Sequence, residues 1–260
     1  MGCATSRINA SCEEAAIING ENLLLFYSRD IESTYKLLKD NSKEGTVSKK
    51  GMKAIKKEIG TVSEEYQQKV NKFYDELAQG EEGIKLTRYA ALATLLCKGS
   101  GSKKANALFD ANDAEGLGKL SKSQISEMID EIFELASVKL PELASPSDSS
   151  NPYTKESMQS YREKIELGRP KDKETLLKNV VGELDEVDKA TFVAWFDADS
   201  NRDWLGSSSL REQLKKTGKK VRKAAKKAKA ESEAKEPKEE KEEKEHHEEH
   251  HHHEEAPESS

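Results

Sequence analysis

The chain has 260 residues, of which 34% are hydrophobic and 35% charged, with a formal net charge of −6 at pH 7. Its longest apolar runs, of five residues as in Leu23 to Tyr27, fall far short of the ~20 residues that a membrane-spanning helix needs. Three cysteines make no disulfide framework and point to a reducing cytosol, and a 6% aromatic content argues against a broad stacking surface for nucleic acid.

Residues 1 to 10 read as an acylated anchor. Removal of Met1 from Met1-Gly2-Cys3-Ala4-Thr5-Ser6 exposes Gly2, Ser6 stands where the N-myristoylation pattern has Ser or Thr, and Cys3 offers a neighbouring thiol for palmitate. One myristoyl chain holds a protein to a bilayer only marginally, and a second acyl chain makes the attachment durable. No continuous apolar stretch of a secretory signal follows.

Ser11 and Glu14 have the spacing of a capping box, and a helical pattern runs from there to about Lys39. Asp40 to Lys50 is a polar break before a helix over Met52–Ile59, and Ser63 opens another through about Ala78. The break at Gly80–Gly83 precedes a helix over Thr87–Cys97, and Gly99-Ser100-Gly101-Ser102 reads as a flexible joint. A helix ending at Phe109 leads into the acidic break Asp110–Gly118, and Ser121 with Gln124 is a second capping box opening a helix to about Val138. Residues 139–152, rich in Ser and Pro from Pro141 on, read as a linker. Helices are expected over Tyr153–Leu167, Lys173–Leu184 and Lys189–Phe196, then an acidic break over Asp197–Asp203 and a last helix from about Ser208. The expected class is all-α.

The breaks share a chemistry. In Asp40-Asn41-Ser42-Lys43-Glu44-Gly45-Thr46-Val47-Ser48, oxygen-bearing side chains fall at loop positions 1, 3, 5 and 9, with glycine at 6 and an aliphatic residue at 8. Calcium needs six to eight oxygens, and this is the spacing at which an EF-hand loop supplies them. Asp110, Asn112 and Asp113 begin a similar loop, about three residues too long, that ends at Gln124; Asp197, Asp199, Asn201 and Asp203 form the most acidic run. Over roughly residues 20 to 208 the chain resembles the EF-hand superfamily, as tandem helix–loop–helix units. The resemblance implies a first pair over 11–99, a second over 100–208, and calcium ligands at Asp40, Ser42, Glu44, Ser48, Asp110, Asn112, Asp113, Asp197, Asp199, Asn201 and Asp203. An alternative frame for the last unit puts Val187 at position 8 and has almost no ligands. Position 12, where the family has a bidentate Glu, is Gly51, Arg88 or Ala90, Gln124, and Ser208 or Thr191. Any calcium binding is therefore expected to be weak.

Residues 209–230 read as a basic helix. Arg211 to Lys229 holds ten basic residues against one acid, a block of +9, with Leu210, Leu214, Val221, Ala225 and Ala228 along one side. Residues 231–260, thirteen Glu against four Lys, read as a disordered tail of −9. All six histidines lie between His246 and His253, which removes histidine-dependent catalysis from the folded part. The expectation is a non-enzymatic regulator or adaptor on the cytoplasmic face of a membrane. It would be held there by acyl chains and the basic helix, with weak Ca2+ binding, an unidentified protein partner and no nucleic acid. The acylated calcium-sensor families share this layout by resemblance; the alternative is a calcium-independent anchored scaffold.

Overall fold

A computed structural model describes residues 10–145 and 153–248, with side chains to residue 231. Gly2 and Cys3 of the expected anchor, and the tail beyond residue 248, lie outside the described residues. The chain divides after Gly218 into one compact unit up to that residue and a second from Lys219. The described chain is mostly helical, in agreement with the all-α expectation.

The first unit repeats one local pattern: a helix, a polar loop, a short strand with one buried aliphatic residue, and a second helix. After α1 (Cys12–Asn22), α2 (Ile31–Asp40) leads through β1 (Ser42–Lys43) and β2 (Thr46–Ser48) into α3 (Lys49–Ile59). Then α4 (Glu64–Leu77) leads through β3 (Gly83–Lys85) into α5 (Leu86–Leu96). The pattern recurs with α6 (Gly101–Asn112), β4 (Lys119–Ser121) and α7 (Lys122–Glu134), and with α9 (Lys155–Val181), β5 (Glu186–Asp188) and α10 (Lys189–Asp197). The loops meet back to back. Val47 is opposite Ile84 in an antiparallel β1-β2-β3 sheet, and Leu120 is opposite Val187 in the β4-β5 ladder. Those four side chains are buried, and in β4 and β5 Leu120 and Val187 lie between exposed neighbours, the period-2 alternation of a strand with one solvated face. The sequence signal for strands is weak because each spans only two or three residues.

Two helix boundaries differ from expectation. The helix expected from residue 11 to Lys39 is two helices. Leu24 and Phe26 are buried in the connection, Leu25 has φ +62°, and Asp30 Oδ1 accepts from the backbone N–H groups of Glu32 and Ser33 to cap α2. The cap and the burial of apolar side chains outside helix periodicity override propensity. Conversely, α9 runs unbroken through Pro170, where a stop is expected. The proline removes one helical hydrogen bond, and packing along α9 offsets it: Met158, Tyr161, Ile165, Leu176 and Val180 are all buried.

The expected linker begins inside the core. A π-helical turn over Leu135–Lys139 carries α7 into the three-residue helix α8 (Leu140–Glu142), and Leu140 and Leu143 are buried. Residues 146–152 of that linker lie outside the described residues. The Gly99–Ser102 joint is likewise packed, with Ser100 capping α6 and a Cβ at Gly101 falling 2.1 Å from the Phe196 carbonyl oxygen. A 3-10 turn (Arg202–Leu205) leads into α11 (Ser207–Glu248). Leu210 and Leu214 of α11 enter the core, and α11 crosses α9 where Gly218 meets Gly168. A Cβ on Gly218 would lie 1.7 Å from the Lys164 carbonyl oxygen, so only glycine permits this approach.

Candidate functional site

In the first loop three of the four candidate side chains, those of Asp40, Ser42 and Ser48, are engaged locally. Asp40 pairs with Lys36 one turn back, at 2.6 Å. Ser42 Oγ donates to the Lys39 carbonyl (2.8 Å), and Ser48 Oγ caps α3 by accepting from the Gly51 N–H. Glu44 and Gly45 have φ of +51° and +74° and form the two-residue connection between β1 and β2. Positive φ at both positions is what a type I′ hairpin turn requires. The loop glycine therefore serves a hairpin. A Cβ on Gly51, at the last loop position, would lie 2.5 Å from the Asn41 carbonyl oxygen, so the backbone leaves no room there for the glutamate of a calcium loop.

The other candidates behave alike. Asp110 pairs with Lys189 at the start of α10 (2.6 Å), Asn112 Nδ2 donates to the Leu108 carbonyl, and Asp113 accepts from the backbone N–H groups of Leu117 and Gly118. Ser121 and Gln124 form the expected capping box. Because Val187 lies in β5, the Asp197–Asp203 run follows α10 and is not the loop that pairs with β4. Asp197 Oδ1 accepts from the Ser102 N–H in the first turn of α6, Asp199 pairs with Arg202 (3.1 Å), Asn201 Nδ2 donates to the Trp195 carbonyl, and the Asp203 carbonyl accepts from Ser209 Oγ. Among the described residues, no group of three or more His, Cys, Asp or Glu side chains is placed to hold a metal ion. Most of these side chains serve as caps, turns and cation partners, and as placed they do not fit a six- to eight-oxygen cage.

Two buried arginines stand out instead. Arg88, in the first turn of α5, donates through Nη1 to the carbonyl of Leu77 (3.3 Å), the last residue of α4, and reaches Glu131 and Glu134 on α7. Arg211 on α11 has no exposed surface. It donates to Glu14 through Nε and Nη2, and through Nη1 to Glu21 (2.7 Å) and the Ala136 carbonyl. Tyr161 donates its hydroxyl to Glu14, and Ser207 donates to Glu21 (3.1 Å). Two carboxylates facing one guanidinium titrate in opposite directions. Burial raises the Glu14 pKa, but Arg211 and its hydrogen bonds outweigh burial, and the net shift is downward. At Glu21 burial wins over Arg211, Glu14 adds repulsion, and the pKa is raised.

Sequence reading missed this cluster because Glu14 is equally legible as a capping-box residue and Arg211 as one more charge in a basic block. The available signal was spatial. Glu14, Ile17 and Glu21 fall on one face of α1, and Arg211 lies between the core residues Leu210 and Leu214.

Cys97 offers no nucleophile: it is buried, and burial pushes its thiol up to about 11. No described helix is long and apolar enough to cross a membrane. No family model, no curated protein and no solved structure matches the chain.

Proposed function

We propose that this protein is a lipid-anchored, peripheral membrane adaptor built on an EF-hand-like scaffold that holds its shape without calcium. The observation that carries the calcium-independent reading is the engagement of most candidate loop side chains in caps, turns and pairs with Lys36, Lys189 and Arg202. The paired loops, with Val47 facing Ile84 and Leu120 facing Val187, support the EF-hand-like scaffold. The Gly2–Cys3 motif supports the anchor. Binding is favoured over catalysis because no histidine precedes His246 and Cys97 is sealed in the core.

Two measurements test this reading. Thermal unfolding of the full chain should give the same midpoint in calcium and in chelator, since only a ligand that prefers the folded state raises it; a calcium-dependent rise of several degrees would restore the sensor reading. Gly2→Ala should move the protein from membrane to soluble fraction in cells, and an unmodified native N-terminus by mass spectrometry would remove the anchor.

A further inference from the structure

We propose that Lys219–Lys229 of α11 is an electrostatic docking helix for an anionic bilayer, one that lies on the headgroups by charge and inserts almost no apolar surface. The proposal rests on the peripheral-membrane reading and states how that contact works. Read along the sequence, the basic block has ten cations and an apolar side that includes Leu210 and Leu214. The fold removes part of both. Leu210 and Leu214 are fully buried in the core, Arg211 is enclosed by Glu14 and Glu21, and Thr217 donates to Asp172 of α9. From Lys219 to Glu231 every residue is exposed except the half-buried Val221.

That segment holds Lys219, Lys220, Arg222, Lys223, Lys226, Lys227 and Lys229, with no acid before Glu231. At roughly 100° per residue the seven cations occupy about half of the helix circumference, and Val221, Ala224, Ala225 and Ala228 occupy the other half. Three methyl groups and one isopropyl group offer little surface to a hydrocarbon phase. Each basic residue near an anionic leaflet contributes ~1 kcal/mol, about five-fold in partitioning. Charge therefore dominates, and the contact reads the density of anionic headgroups. A duplex nucleic acid is the competing polyanion. Apart from Lys and Arg the segment carries no Asn, Gln or aromatic side chain to meet bases, so a duplex would be held through its phosphates, and the comparison of duplex with vesicle separates the two polyanions.

The test uses the full, unacylated chain and large vesicles of phosphatidylcholine, with and without phosphatidylserine. Binding should require phosphatidylserine and weaken as salt rises. Replacing Lys219, Lys223, Lys226 and Lys227 by Gln should lower partitioning several-hundred-fold, four factors of about five. An unchanged thermal midpoint would show that the fold survives, as expected for exposed side chains. Val221→Ser should change binding less than about two-fold, because that side chain is not inserted. Equal binding to neutral vesicles, no loss in the four-site variant, or a loss at Val221→Ser matching it would each overturn the proposal. Tighter retention on duplex DNA than on phosphatidylserine vesicles at the same salt would overturn it as well. Because the chain is unacylated throughout, these outcomes are independent of Gly2→Ala, which tests the anchor alone.

Discussion

Arg211 and Arg88 each bring one guanidinium to two glutamates across distant elements, yet the two joints differ in their access to water. Glu14 and Glu21 are 8% and 7% exposed, whereas Glu131 and Glu134 are 24% and 35% exposed. A dry joint gains strongly from its Coulomb attraction, but it cannot be broken without leaving charges that water cannot reach. A half-wet joint gains less and fails more gently. The same three side chains therefore make a rigid fastening between α1 and α11 and a forgiving one between α5 and α7.

The largest expected effect comes from breaking the dry joint. Arg211→Met should destabilise the first unit by about 3–5 kcal/mol, because Glu14 and Glu21 remain as a buried like-charged pair. Adding Glu14→Leu and Glu21→Leu should recover most of that loss. A denaturation series on the single and triple variants checks both; a single variant within about 1 kcal/mol of the parent would show that the cluster is hydrated.

Arg88→Met should cost less, about 1–3 kcal/mol, since Glu131 and Glu134 can turn to solvent and the main loss is the bond to the Leu77 carbonyl. A cost equal to that of Arg211→Met would erase the distinction between the joints.

The smallest and sharpest effect concerns pH. Glu14 is held below its ordinary value, so its contribution is present above about 4.5 and lost as pH falls through its folded pKa. Glu21 is raised above that value, so its contribution is present on the acid side and lost as pH rises through its folded pKa. At neutral pH Glu14→Gln should therefore destabilise by about 1–3 kcal/mol, while Glu21→Gln should be close to neutral or stabilising. Melting curves of both variants at pH 7 and pH 5 check this, and equal losses at pH 7 would contradict the assignment.

The helical class and the positions of the loops were legible because periodicity and polar breaks are local properties. Asp30 was legible as a cap in principle, but the apolar run beside it also fits a helix, and only the burial of Leu24 and Phe26 in the connection decides between them. Pro170 misled for the reason that makes prolines informative: its local cost is real, and only the face buried along α9 outweighs it. The loop oxygens were legible by type and spacing. Their partners Lys36, Lys189 and Arg202 were not, because spacing cannot say whether a carboxylate caps a helix, meets a lysine or faces an ion. Glycine gave the least away. Gly45 serves a hairpin, while Gly51 and Gly218 are required by carbonyl oxygens that come from elsewhere in the chain.

The joint at Arg211 also has a consequence in time. Glu14 and Arg211 are 197 residues apart, and a ribosome adding about 5–20 residues per second needs roughly 10–40 s to cover that distance. Throughout that interval the two acids of α1 exist without their cation, so α1 is made long before the joint that secures it.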